Sequence, residues 1–402
     1  ERQRAIVREE LEEIVRKYGD GRRTQIIAAT GDVSEEDLIA RENVVVTITS
    51  TGYAKRTKVD AYKSQKRGGK GVRGAELKQD DVVRHFFVSS THDWILFFTN
   101  FGRVYRLKAY ELPEASRTAR GQHVANLLEF QPEERIAQVI QIQTYEDAPY
   151  LVLATAQGRV KKSRLTDYES ARSAGLIAIN LNEGDRLIGA ALCSDDDDLL
   201  LVSQYGQSIR FTADDDQLRP MGRATAGVKG MRFRGNDQLL AMCVVRDGDY
   251  LLVATSGGYG KRTPMEDYNS QGRGGLGVVT FKYTPKRGHL IGALAVDEDD
   301  EIFAITSAGG VIRTEVNQIR PSSRATMGVR LVNLPGDVEL LAIDKNVEEE
   351  GEEEAEAVAK GNVAGPTERA QQKIVDEGIQ SVDDPADYES EDSEDSDSED
   401  EE

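Results

Sequence analysis

Gln65, Lys66, Arg67, Gly68, Gly69, Lys70 and Gly71 put three cations and three glycines into seven residues. Lysine and arginine attract an anion, and glycine lacks the Cβ that would keep a backbone amide away from it. The chemistry of such a loop is phosphate contact, not bond making. A partial second copy stands at Gln271, Gly272, Arg273, Gly274, Gly275, Leu276 and Gly277. Leu276 takes the place of the second lysine, so this copy loses one phosphate contact and serves equally well as a structural turn.

Motifs for catalysis fail on spacing. Gly257 to Thr263, GGYGKRT, lacks the Gly-x-x-x-x-Gly-Lys pattern of a nucleotide loop and has no Ser or Thr directly after its lysine. The acidic runs Asp195–Asp198 and Asp297–Glu301 lack the spacing, glycine and terminal Glu of a calcium loop and read as turns. His85, His92, His123 and His289 have no paired-ligand spacing. The sequence excludes the common hydrolase and metalloenzyme patterns and points to a binding protein without a cofactor of its own.

The formal charge of −20 argues against a polyanionic partner only until it is divided. Residues 348–402 hold 23 acidic residues against Lys360, Arg369 and Lys373, while residues 1–347 hold 48 of each sign. The imbalance is a tail, poor in aromatic residues and ending SEDSDSEDEE, whose composition predicts disorder over 346–402. Tethered to a body without net charge, it is available to compete with phosphate. No run of 18 apolar residues occurs, and Cys193 and Cys243 are too few for a disulfide framework, so a cytoplasmic, membrane-free chain is expected. Those cysteines lie in similar contexts 50 residues apart and read as equivalent core positions of a repeat.

The elements that position the basic loop come from that repeat. Glycines at 52, 102, 158, 206, 258 and 309 each follow a β-rich run such as VVVTIT or YLLVAT, and each precedes a second strand, making six hairpins. An Arg-x-x-x-Gly element follows at Arg67, Arg117, Arg223, Arg273 and Arg324, one residue shorter at Arg172 to Gly175, and two further strands close each copy. Four strands per copy and six copies predict an all-β, six-bladed, propeller-like domain over 38–345. Before it, residues 1–18 have helical apolar spacing and residues 19–37 read as a linker. The start inside a helical pattern suggests a piece of a longer polypeptide.

Cations recur at matching places in the copies: Lys55, Arg56, Arg103, Arg106, Lys161, Lys162, Arg210, Lys261, Arg262 and Arg313, with Arg117, Arg120, Arg223 and Arg324 in the turns. Repetition would make them a discontinuous basic rim, a track for a DNA backbone.

The heptad at 65–71 resembles the box of the C-terminal DNA-wrapping domain of bacterial gyrase A subunits, Gln-Arg-Arg-Gly-Gly-Lys-Gly, departing only at Lys66. The second copy is similar to an additional box of actinobacterial gyrases. The resemblance covers 1 to about 345 and implies a six-bladed β-pinwheel with a short N-terminal helix from a coiled coil. It also implies that duplex DNA wraps positively around the rim to favour negative supercoiling. The partners would be the gyrase B subunit and the A-subunit N-terminal domain in an A2B2 holoenzyme, with the catalytic tyrosine, ATP and Mg all held outside this chain. A topoisomerase IV-type domain, whose family generally lacks an intact box, and a propeller-like protein-interaction module are the alternatives.

Overall fold

The computed structural model describes residues 2–18, 35–62, 81–170, 175–308 and 310–369. They form two units, divided after Ala40. In the first, α1 (Arg2–Tyr18) is the expected amphipathic helix, with Ile6, Val7, Leu11, Ile14 and Val15 all exposed. A single 3-10 turn, Glu35–Leu38, lies within the stretch read as linker. Among the described residues no helix is long and apolar enough to cross a membrane.

The second unit contains six small antiparallel sheets, one per repeat. In the third, Tyr150–Thr155 pairs with Arg159–Arg164 on one side and with Leu187–Cys193 on the other. Tight hairpins need a residue at positive φ, and Gly52, Gly102, Gly158, Gly206 and Gly258 supply it at +71° to +88°. Gly309 lies outside the described residues. Alternation along the strands buries one face against each neighbouring blade. Five apolar clusters join consecutive blades, from Val44, Ile95 and Tyr105 in the first to Leu252, Ile302 and Ile343 in the last.

The fourth strand of each blade is exchanged, which the sequence does not reveal. The two-residue strand after each Arg-x-x-x-Gly turn pairs with the preceding blade. Gln122–His123 joins Tyr53–Lys58, Leu176–Ile177 joins Arg103–Lys108 and Val228–Lys229 joins Arg159–Arg164. Val278–Val279 and Val329–Arg330 continue the pattern. Among the described residues the sixth sheet has three strands. Among the described residues each exchanged strand thereby lies on the second hairpin strand of the preceding blade.

Two expectations need correction. Residues 347–369 are not structureless: α2 (Val347–Ala359) lays Ala355 and Val358 against Val45, Tyr62 and Phe86 of the first blade. Burying two apolar side chains outweighs the local excess of acid there, whereas residues 370–402 lie outside the described residues. A cut at 348 would therefore strip core, not only charge. The cysteines occupy corresponding strands but not equivalent positions. Cys193 faces Tyr150, the first residue of its partner strand, and Cys243 faces Leu200, the third of its own. Burial pushes the two thiols up, to about 12 and about 11.

Candidate nucleic-acid interface

The first box, Gln65 to Gly71, lies outside the described residues, as does Arg172. The second loop shows how such a segment is built. The amide of Gln271 donates to the Arg210 carbonyl at 2.7 Å and that of Gly274 to Gly230 at 2.6 Å. Arg273 is drawn inward, donating to the carbonyls of Gln217 and Lys229. Gly274 and Gly277 sit at φ +77° and +71°, and a Cβ on Gly277 would lie 2.1 Å from the Ser208 carbonyl oxygen. Glycine here is demanded by the close approach of two backbones. Gly277→Ala is expected to destabilise the domain by about 1–3 kcal/mol, measured as a lower denaturant midpoint, from strain and clash together.

A cavity of about 840 Å³ runs beside this loop, lined by Tyr205, Phe233, Arg232, Arg234, Leu276 and Arg324. Tyr205, which lines it, stacks on Tyr283 at 5.0 Å, and both rings are exposed. Exposed cations gather on and just after the exchanged strands: Lys229, Arg232 and Arg234 in the fourth repeat, Lys282 in the fifth. These were not singled out from the sequence. Their signal would have been position relative to the exchanged strand, which is visible only once the exchange is known.

Much of the expected rim proves to be internal. Lys55, Lys161 and Lys261 are 2%, 0% and 0% exposed. Lys55 Nζ donates to the carbonyls of Ser116, Arg117 and Ala119. Lys161 donates to those of Ala178, Gly222 and Arg223, and Lys261 to those of Ser323 and Arg324. An alternating strand faces inward at this position, so these lysines are removed from the set that can touch a phosphate directly. Burial lowers the pKa of Lys161 to about 7 and that of Lys261 to about 8.

The following position in each strand points the other way but is mostly paired. Arg56 meets Glu114 at 3.0 Å, Arg210 meets Asp198 at 2.6 Å, and Arg313 meets Glu301. Lys162 is fully buried; burial opposes its charge, yet Asp195 and Asp215 hold its pKa above the usual range. Arg262 is 4% exposed and reaches Glu298 at 3.0 Å. Arg106 stacks 4.1 Å above Trp94 and donates to the Tyr145 hydroxyl. Arg103 donates to the Gly175 carbonyl at 3.2 Å.

The turn arginines are presented differently. Arg117, Arg120, Arg223 and Arg324 are half-buried at the outer edge. Arg117 lies 4.6 Å above Tyr62 and meets Glu352 of α2 at 2.5 Å. Arg120 lies 3.5 Å above Tyr53, and Arg324 6.0 Å from the Tyr268 ring and against the cavity. Stacking restrains the Arg117 and Arg120 guanidinium groups while leaving their edges able to donate. The Nε atoms of Arg117 and Arg120 meet no acceptor among the described residues.

Comparison with known proteins gives one family. The family described as DNA gyrase C-terminal domain, beta-propeller, matches residues 43–90, 93–143, 149–194, 197–246, 249–297 and 300–345. The DNA gyrase A subunit of Mycolicibacterium smegmatis is 68% identical over 362 residues, 90% of this chain and 43% of that subunit. That of Streptomyces coelicolor is 62% identical, over 86% of this chain and 41% of that one. The chain thus spans about two fifths of the length of these relatives. A solved topoisomerase IV C-terminal domain superposes with a TM-score of 0.70 at 26% identity, covering 81% of this chain and 99% of that one. A solved DNA gyrase A C-terminal domain gives 0.58 at 30%, covering 76% and 99%. Each of the family's six segments supplies the three long strands of one of the six sheets, and on that agreement the chain belongs to the DNA gyrase C-terminal domain family.

Proposed function

We propose that this chain binds duplex DNA without sequence preference and wraps it positively across its blades, presenting a segment for passage so that gyrase introduces negative supercoils. The observation that carries the reading is the recurrence of one device: a turn with a leading arginine, carried by strand exchange onto the preceding blade at Arg117, Arg223, Arg273 and Arg324. Bending 20–30 base pairs by 40–90° costs on the order of 1–6 kcal/mol, more than one loop offsets. Contacts at several blades supply it, and contacts to phosphate carry little sequence information.

The chain contributes no catalytic residue in this reading. Strand cleavage belongs to the N-terminal part of the A subunit, and ATP with Mg to the B subunit, in an A2B2 complex in the cytoplasm. The TM-score of 0.70 against the topoisomerase IV domain supports a second reading, a topoisomerase IV-type C-terminal domain. The intact heptad at 65–71 and identities of 62% and 68% to gyrase A subunits favour the first. Sealing nicked DNA rings in the presence of the chain is expected to leave a positive linking change that grows with protein. Rings sealed with an unchanged linking number, at protein levels that saturate the DNA, would reject wrapping.

A further inference from the structure

The inward lysines recur in every second blade. At the third position after the hairpin glycine stand Lys55, Tyr105, Lys161, Ile209, Lys261 and Ile312. The turn received by each blade alternates with them. Blades with lysine take the turns Arg117–Gly121, Arg223–Gly227 and Arg324–Gly328, whose interiors read Thr-Ala-Arg, Ala-Thr-Ala and Ala-Thr-Met. Blades two and four, with Tyr105 and Ile209, take the turns ending at Gly175 and Gly277. There a Cβ on Gly175 would sit 2.6 Å from the Tyr105 ring, and one on Gly275 would sit 3.3 Å from Ile209 Cδ1. A turn glycine lies directly on Tyr105 or Ile209 in one class, and a turn with side chains stands over an ammonium in the other.

The lysine decides which way the peptide groups face. Its ammonium collects carbonyl oxygens from beneath, as given above for all three. Among the described residues no protein acceptor meets the amides of Arg117 and Thr118, of Arg223 and Ala224, or of Arg324 and Ala325. Successive amides freed on one side of a turn, with a lysine ammonium behind them, form an anion-binding concavity. We propose that Lys55, Lys161 and Lys261 are positioning residues for DNA phosphate: each pins one Arg-x-x-x-Gly turn carbonyl-inward, so that its amides and Arg117, Arg223 or Arg324 receive a backbone phosphate. Duplex DNA then meets two kinds of anchor in alternation, lysine-backed turns and glycine-rich loops. This rests on the wrapping function above and adds residues to it that never touch the nucleic acid.

The device has a signature that packing alone lacks. The charged groups facing Lys161 are Arg223 and Asp167, with the neutral Tyr168 alongside; Lys261 faces Arg324 and Asp267, with Tyr268. In the free chain burial holds both lysines partly deprotonated near neutral pH. A phosphate at the turn favours the ammonium and raises the bound-state pKa, so binding takes up protons and weakens as pH rises through the free-state values.

The test is calorimetry of the 402-residue chain with a random-sequence duplex at pH 8, above the histidine range, in two buffers of different ionisation heat. Salt titrations and thermal midpoints of K161M/K261M accompany it. Proton uptake by the wild-type chain is expected, along with affinity falling between pH 7 and pH 9. The double variant should bind about tenfold more weakly at pH 7 and without proton uptake; its thermal midpoint falls, because methionine leaves the turn carbonyls without a donor, and the wild-type proton linkage carries the test independently of it. Absence of proton uptake in the wild-type chain overturns the proposal without recourse to any variant. A variant matching the wild type in affinity and pH profile overturns it while leaving DNA wrapping standing. A wild-type chain that fails to bind the duplex at all removes the functional reading, and this one with it.

Discussion

Raising salt from 50 to 200 mM is expected to weaken duplex binding about a thousandfold. Each neutralised phosphate contributes about −0.9 to the slope of log K against log salt, and about one phosphate per blade gives a slope near −5. The effect is large because direct readout of bases is not among the chemistries these turns offer. Amides and arginine edges recognise the backbone, whose counterions are released on contact. Charge elsewhere cannot mimic this response, since residues 1–347 carry no net charge and long-range attraction is weak. The pair between Arg117 and Glu352 opposes it slightly, because the same salt loosens an internal competitor for one turn. Binding isotherms at four or more salt concentrations measure the slope. A value shallower than −2 would mean that fewer than three phosphates are held, too few to bend a duplex over several blades.

Removing the cations of the heptad should separate binding from wrapping. In K66A/R67A/K70A the linking change per bound chain is expected to fall to near zero while affinity drops about tenfold, because the turns of the other repeats still hold phosphate. A path needs its ends fixed more than its middle: a duplex released at one anchor straightens and regains its bending energy, whereas the remaining contacts survive in a shorter arc. The heptad lies outside the described residues; in register it holds the same Arg-x-x-x-Gly element that later repeats carry onto the preceding blade. Nick-sealing and filter-binding assays on one preparation compare the two quantities. Wild-type linking change in the triple variant would dissociate the heptad from wrapping, and a parallel fall of both would make it an ordinary binding loop.

Repeat number, strand content and the place of the basic loop within each repeat were legible from the residues alone. Their determinants are local: glycine at a tight turn, alternation along a strand and the spacing of one Arg-x-x-x-Gly element from the next. The gyrase-type box was read in the same local way, as a contiguous heptad, and lies outside the described residues. The side on which each cation ends was not. Lys161 and Arg164 look alike in RVKKSR, yet Lys161 is sealed beneath the turn of the following repeat and Arg164 lies in solvent. Which blade receives a given turn depends on strand exchange between repeats about fifty residues apart, a pairing that no local pattern encodes. The same holds for α2, whose acidic composition predicts disorder until Val45, Tyr62 and Phe86 provide a surface for Ala355 and Val358. Composition and spacing thus determined what each segment is made to do locally. Tertiary structure alone decided which charges are spent inside the protein and which remain for a partner, because burial and pairing are properties of neighbours that the chain brings together only on folding.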